Sequence, residues 1–217
     1  MENIFIILLG LSMIYISSTS RLTAHINMLI LQGILLFLIC FTGILNEHSI
    51  NIADIIFIVI ETLIVKSIII PIFLKKVMQK THANRDSAAN IPHFYSLVIS
   101  SLIIFLGLMS ANIKIEAFEL ISPVYFGISV AIIITSLWLI TIKHTVISNV
   151  ISFITMENGI FLLSLSVAKK MPVIVNLGVL LDIFIAVFIL GMLIREINTE
   201  FEDLEVSHIS ELKDYAE

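Results

Sequence analysis

The stretch ISNVISFITMENGIFLLSLSV, residues 147–167, is an apolar run with one acidic side chain, Glu157, near its middle. A second run of the same kind, VIVNLGVLLDIFIAVFILGML at 173–193, carries Asp182 near its centre. Each run is long enough to cross the hydrocarbon core of a bilayer as a helix, which takes about 20 residues. A charge at the centre of such a helix costs about 2.5–3.5 kcal/mol. We therefore expect both carboxyls to have a function, and buried acids in membranes typically hold and pass protons.

The composition of the whole chain is typical of a polytopic helical membrane protein. Of its 217 residues, 59% are hydrophobic and 13% are charged, whereas soluble domains have roughly 45–50% apolar and about 25% charged residues. Long apolar runs recur along the chain and exclude the alternating pattern of a membrane β-barrel. The predicted fold is an all-α transmembrane bundle, in which each span satisfies its own backbone hydrogen bonds.

Seven spans fit the apolar runs, and one long polar loop divides them into three and four. The predicted parts are a three-span N-terminal part (1–78), a cytoplasmic loop (79–93), a four-span part (94–195) and an acidic cytoplasmic tail (196–217). The spans are predicted at 3–18, 24–45, 52–75, 94–111, 121–142, 146–168 and 173–195.

Lysines and arginines of the short loops set the predicted orientation, because they are enriched on the cytoplasmic side. The segment 75–93 is the most basic loop, which places the N-terminus outside and the C-terminus in the cytoplasm. We accordingly expect a multi-pass protein of the cytoplasmic (inner) membrane. The basic cluster consists of Lys75, Lys76, Lys80 and Arg85, and the lysines that fall on the opposite side are Lys114, Lys169 and Lys170.

Charge, cysteine and histidine usage argues against several classes of function. Residues 195–217 contain eight acidic and two basic side chains, which is unlike a nucleic-acid-binding surface. The single cysteine, Cys40, lies inside an apolar run and provides neither a disulfide framework nor a thiolate metal site. None of the six histidines falls mid-span, so a b-type haem is not expected. The chain is predicted to have no cofactor or redox centre of its own, and its N-terminus lacks the basic start of a signal peptide.

Glu157 and Asp182 are the first candidate site residues. Lipid surroundings favour the neutral form of a carboxyl unless a cation or hydrogen-bond donors face it. A group that changes its protonation reversibly is what a proton relay needs. The alternative is a permanently neutral acid that is hydrogen-bonded to a neighbouring helix and only holds the bundle together.

Glu61 and Lys66 are the second candidate pair, in the third predicted span. Five residues correspond to about 140° around an α-helix, so they are not an ideal pair on one face. Pro71 leaves the carbonyl of Ser67 without its helical donor and predicts a local kink. Lys66 is interpreted either as a lysine that alternates between acids of this chain and a neighbour, or as a static ion pair or a snorkelling side chain.

Three motifs resemble a known family. Met156-Glu157-Asn158-Gly159, followed by Asp182-Ile183-Phe184-Ile185-Ala186-Val187, is similar to the membrane subunit called component E of hydrogenase-4 and of formate hydrogenlyase-type complexes. The segment Lys66-Ser67-Ile68-Ile69-Ile70-Pro71 resembles the Lys-to-Pro segment in the third span of that family. Together with the chain length and the acidic tail, the resemblance covers most of the chain and is strongest over about 147–213.

The C-terminal part also resembles subunit K of respiratory complex I, a three-span protein with one midspan carboxylate in each of its last two helices. Those carboxylates fall on Glu157 and Asp182, although complex I proteins usually have Glu at the second position. Lys143 and His144 form the basic loop before the Glu157 span, where arginine is common in that family. The resemblance makes them candidates for cytoplasmic proton uptake.

The resemblance implies a non-catalytic subunit of a large membrane oxidoreductase. Its expected partners are antiporter-like and quinone-site-like membrane subunits, the lipid bilayer and a peripheral hydrogenase arm. A nickel–iron site and iron–sulfur clusters are expected in those partner subunits, and the membrane arm would move protons or sodium ions. Two other interpretations stay open, namely a structural scaffold subunit and a subunit of a cation/proton antiporter that has no redox arm.

Overall fold

The computed structural model describes residues 2–45, 56, 59–80, 92–110, 123–143 and 145–167. All of them belong to one compact unit, Met1–Val179. The second unit, Leu180–Glu217, lies outside the described residues, and so does the seventh predicted span with Asp182.

The described part of the chain is helical, as the apolar runs predict. Six of the seven predicted spans coincide with helices, and most of the boundaries agree within two residues. The clearest difference is in the third span, where the helix continues to Lys80, beyond the predicted end at 75. The elements are α1 (Glu2–Ser18), α2 (Leu22–Leu45), a π-helix (Val59–Ile69), α3 (Ile70–Lys80), α4 (His93–Ser110), α5 (Pro123–Ile142) and α6 (Val146–Val167).

Three helices are long and apolar enough to cross a membrane, judged by length and composition: Leu22–Gly43, Pro123–Ile142 and Val146–Ser166. Asn3–Ser18 and Phe94–Ser110 are shorter apolar helices. Large apolar side chains face outward on several helices, for example Leu102, Phe105 and Leu106 on α4. Such a surface is unfavourable in water and suits a lipid environment.

The core lies between α1, α2, α5 and α6. The hairpin of α5 and α6 has the most extensive contact, α4 packs on α5, and α1 packs on α2, α4 and α5. α2 also contacts the π-helix, α3 and α6. The buried face of α1 has the helical spacing i, i+3, i+7, i+10. Its side chains Ile6, Leu9, Met13 and Ile16 are all fully buried.

Small residues allow the helices to approach closely, as is common in membrane proteins. α4 and α5 meet at Gly107 and Gly127, where a Cβ on Gly107 would lie 2.6 Å from the carbonyl oxygen of Gly127 and 2.7 Å from the Cβ of Ala131. On the other side of the bundle, a Cβ on Gly33 of α2 would meet the hydroxyl of Ser67 in the π-helix and lie 3.1 Å from its backbone nitrogen. These two contacts fix the distances between neighbouring helices.

The third span differs from the expected single α-helix, because Val59–Ile69 is a π-helix and the α-helix begins at Ile70. The helix type thus changes directly before Pro71, and the kink at the proline stays a prediction. Pro71 has no N–H for the carbonyl five residues earlier in a π-helix or four residues earlier in an α-helix. Ser67 shows the wider winding, since its hydroxyl donates to the carbonyl of Thr62, five residues before it, at 3.1 Å.

Candidate functional site

Glu157 lies inside the helix bundle, on α6. Its side chain is 2% exposed, and that of the neighbouring Asn158 is 1% exposed. Gly159 packs so closely on α5 that an added Cβ would lie 2.9 Å from Cγ2 of Ile132. The sequence therefore places the two polar side chains next to a close helix contact, and packing encloses them.

Lys66 approaches the helix that carries Glu157. The lysine is 5% exposed, and its Nζ lies 4.7 Å from the ring centroid of Phe161. Phe161 follows Glu157 by four residues, which puts the two side chains on the same face of α6. The structure thus brings Lys66, from the π-helix, against the α6 face of Glu157, which the sequence alone could not establish.

The π-helix changes the geometry expected for Glu61 and Lys66. A spacing of five residues separates two side chains around an α-helix, but it corresponds to one hydrogen-bonded turn of a π-helix. The backbone of Glu61 therefore lies one turn before Lys66, whereas the Glu61 side chain is outside the described atoms. The predicted offset of about 140° does not apply in this segment.

Two amide side chains connect α6 to α2 and α1. Nδ2 of Asn158 donates to Oε1 of Gln32 at 3.0 Å, and Nε2 of Gln32 donates to the hydroxyl of Ser12 at 2.8 Å. The hydroxyl of Ser12 in turn donates to the carbonyl of Leu9 at 2.6 Å. In this orientation of the two amides, each nitrogen donates to the next oxygen along the chain of bonds.

We call Ser12, Gln32, Lys66, Glu157 and Asn158 the polar junction. Gln32 is fully buried and Ser12 is 5% exposed, so water reaches neither of them freely. Within the described part of the chain, Oδ1 of Asn158 is a buried acceptor without a hydrogen-bond partner. The junction therefore combines a basic group, an acidic group and neutral amides inside an apolar bundle.

Sequence reasoning identified Lys66 and Glu157 as site residues but missed Asn158, Gln32 and Ser12. Gln32 stands out as the only amide in the apolar run from 28 to 41, and that signal was sufficient to find it. Ser12 gave no such signal, because serines occur throughout these helices and hydrogen-bond their own helix backbone.

A second buried cluster lies at one end of the bundle. His25, at the start of α2, is fully buried, and its Nε2 lies 3.1 Å from the carbonyl oxygen of Ile16 and 2.9 Å from that of Thr19. Lys143, which follows α5, is 8% exposed, and its Nζ lies 3.4 Å from Nδ1 of the same ring. We call His25, Lys143 and the two carbonyls the end cluster.

The carbonyls determine the form of the His25 ring. Carbonyl oxygens only accept hydrogen bonds, so Nε2 carries a proton and donates to them. In the neutral ring Nδ1 is then the acceptor, and it can accept a hydrogen bond from the Lys143 ammonium. The contact of 3.2 Å between Nζ and Nε2 is a near approach of two donors. His25 also satisfies a carbonyl at the end of α1, where helix carbonyls lack internal partners.

The remaining predicted site residues are placed only in part. Lys143 belongs to the end cluster, whereas His144 and Asp182 lie outside the described residues. Pro71 is the second residue of α3. Among the described residues no group of three or more His, Cys, Asp or Glu side chains could hold a metal ion.

Comparison with known proteins gives one relative. An uncharacterized protein of Mycobacterium tuberculosis is 26% identical over 117 residues, and the match covers 49% of this chain. The chain spans about half, 53%, of the length of that curated relative. No protein-family model matches, and no solved structure is significantly similar. The similarity carries no statement of function, so the resemblance to component E stays a prediction.

Proposed function

We propose that the chain is a non-catalytic membrane subunit of a complex I-related oxidoreductase of the group 4 hydrogenase kind, in which its buried carboxylates help to translocate protons or another cation. The observation that supports this proposal is that Lys66 and Glu157 are both buried in an apolar bundle, with Lys66 against the Phe161 ring one turn after Glu157 on α6. Ionisable residues at such positions are rare in membrane proteins and commonly mark ion pathways.

The chemistry of the junction suits a proton that changes its carrier. Burial disfavours charge on both the amine and the carboxyl, whereas their mutual attraction favours the charged forms. These opposing effects bring the charged and neutral states close in energy. A small change in the surroundings, such as the arrival of a proton on a neighbouring group, can then decide which form is present.

The proposal extends to residues beyond the junction. Asp182 would continue the relay in the following span, Glu61 would connect it to a neighbouring subunit, and Lys143 with His144 would take up protons from the cytoplasm. This requires seven spans in the cytoplasmic membrane, with the N-terminus outside. The nickel–iron site and iron–sulfur clusters would reside in a peripheral hydrogenase arm, beside antiporter-like and quinone-site-like membrane subunits.

A structural scaffold is the second candidate function. The hydrogen bonds from Asn158 through Gln32 to Ser12 favour it, because they connect three helices without any group that releases a proton readily. Under this hypothesis Glu157 is a neutral acid that packs and hydrogen-bonds like its amide analogue.

Substitution of Glu157 separates the two functions. In the purified and membrane-reconstituted complex, Glu157→Gln should leave subunit composition and hydrogen evolution intact, while the ions moved per hydrogen evolved fall toward zero. The reason is that an amide keeps the shape and cannot carry the proton. Glu119→Gln, in a predicted loop, is the matched control. Unchanged coupling in Glu157→Gln, together with failed assembly in Glu157→Leu, would establish the scaffold instead.

Metal analysis of the same gently purified complex tests the redox arm. Nickel and iron that co-purify with the chain in fixed ratio are expected for a hydrogenase-like assembly. A metal-free complex that exchanges cations for protons would instead identify an antiporter subunit. The rate of cation/proton exchange by the Glu157→Gln variant is then compared with that of the unmodified complex.

A further inference from the structure

The aromatic ring of Phe161 is a buried neighbour of Lys66. It is not a member of the polar junction. The ring is 1% exposed, and Nζ of Lys66 lies 4.7 Å from its centroid. This is within the distance of about 6 Å at which the negative face of a ring attracts a cation. The attraction is strongest where water is excluded, which is the case for both side chains.

We propose that Phe161 is a positioning residue for Lys66, whose ring face holds the lysine in its ammonium form at the α6 face that also carries Glu157. The inference rests on the proposed relay function, because it names the group that sets the charge of one relay residue. Phe161 itself exchanges no proton. It acts by favouring one protonation state of Lys66 over the other.

The close packing of the third span directs the lysine toward this ring. Gly33 of α2 lets the π-helix approach so closely that the carbonyl carbon of Lys66 would lie 3.3 Å from a Cβ at that position. Lys66 is therefore held by its backbone at the interface with α2 and reaches across to α6. The packed backbone and the position of Nζ over the ring face together define the location of the positive charge.

The ring also affects when Lys66 releases its proton. In that step an N–H bond of the ammonium breaks, its electron pair stays on Nζ, and a new O–H bond forms on the accepting carboxylate. The ring attracts the ammonium more strongly than the neutral amine, so the attraction is lost as the proton leaves. Lys66 therefore releases its proton less readily beside Phe161 than a lysine would in a purely aliphatic pocket.

Other ionisable groups near Lys66 can also influence its charge. The experiment has to distinguish their effect from that of the ring. Glu157 on α6 is the acid of the facing element, and His25 on α2 is more distant along its helix. The ionisable side chains described on the elements around Lys66 are Glu157, His25, Cys40, Lys75 and Lys76, whereas the side chains of Glu61 and Lys80 lie outside the described atoms. The Glu157→Gln background removes the acid of α6 from the comparison.

The test measures the charge of Lys66 directly in the full-length chain in lipid nanodiscs. Lysine Nζ is labelled with nitrogen-15, the Lys66 signal is assigned with Lys66→Met, and its ammonium fraction is followed at one fixed pH. Phe161→Leu should lower the ratio of ammonium to amine by about tenfold to thirtyfold, as expected for a desolvated cation–π contact.

Fluorinated phenylalanines at position 161 keep the shape of the ring while weakening its negative face step by step. The ammonium fraction of Lys66 should fall with each added fluorine, in both the native and the Glu157→Gln chain. Phe37, which stacks on Phe41 at 5.7 Å, is the matched ring for the control and should give no response.

An ammonium fraction of Lys66 that does not change with fluorination at position 161 would overturn the proposal, even if Phe161→Leu disturbs the fold. A drop that appears only with Glu157→Gln would assign the charge of Lys66 to the carboxylate instead. Neither result depends on the assembled complex. Failure of this inference is therefore distinct from failure of the proposed function, which the coupling assay of Glu157→Gln decides.

Discussion

The polar junction and the end cluster both bury ionisable side chains, but they satisfy them in different ways. In the end cluster, two backbone carbonyls hold the His25 ring, and the Lys143 ammonium lies 3.4 Å from its Nδ1. In the junction, amide hydrogen bonds join side chains of α1, α2 and α6, and Lys66 of the π-helix contacts the Phe161 ring of α6. The first arrangement uses backbone acceptors at the end of α1 with one side chain from α2 and one that follows α5, whereas the second depends on side chains of four elements.

This difference implies different sensitivity to substitution. A change in the junction affects several helices at once, since buried groups that lose a partner have no water to replace it. The end cluster keeps the bonds of His25 to the backbone carbonyls when Lys143 is replaced. We therefore expect the largest losses of stability in the junction and the smallest at the end cluster.

Gly33→Ala should have the largest effect. The added methyl group meets the hydroxyl and backbone of Ser67, and overpacking of this kind costs up to about 3 kcal/mol. The measurement is the unfolding free energy of the purified chain in mild detergent. Gly43→Ala, on the same helix with nothing within 4 Å of the new methyl, is the control and should be neutral or slightly stabilising. Equal stability of the two variants would contradict the close packing of α2 against the π-helix at Gly33.

Gln32→Leu should have an intermediate effect. It removes the hydrogen bonds to Ser12, Met13 and Asn158 and leaves the donor of Asn158 buried without its acceptor, at a cost of about 1.5 kcal/mol. A double-mutant cycle with Asn158→Leu should give a coupling energy of about 0.6 kcal/mol or more. Additive losses in that cycle would contradict the amide contact between α2 and α6.

Lys143→Met should have the smallest effect, about 0.5 kcal/mol. Methionine keeps much of the apolar stem, and the His25 ring keeps both of its carbonyl acceptors. The exposed Lys76→Met is the matched control, and thermal unfolding of both variants compares them. A loss for Lys143→Met as large as that for Gln32→Leu would mean that the end cluster is not locally satisfied.

The helices could be predicted from the sequence because lipid imposes a simple rule. An apolar run of sufficient length must satisfy its backbone internally and therefore forms a helix. This rule placed both ends of the Pro123–Ile142 helix within two residues of the structure. It also identified Glu157 and Lys66 as charged exceptions within apolar runs. The structure places both side chains among the buried residues.

The rotation of each helix about its axis could not be predicted in the same way. α5 is apolar all round, so the sequence gives no preferred buried face. Contacts between distant residues such as Asn158 and Gln32, or Lys143 and His25, depend on that rotation. The π-helix was missed because its residues are as apolar as those of an α-helix, and no local pattern distinguishes the two.

The winding of Val59–Ile69 has a consequence for the length of this segment. A π-helix accommodates more residues per turn than an α-helix, so ordinary winding would be regained if a single position before Lys66 were deleted. Where the winding does not adjust in this way, the deletion would rotate the lysine by about 100° and move it off the ring of Phe161, while hydropathy and net charge hardly changed. In homologous chains, a gap of one position in this segment therefore says more about retained activity than many substitutions elsewhere.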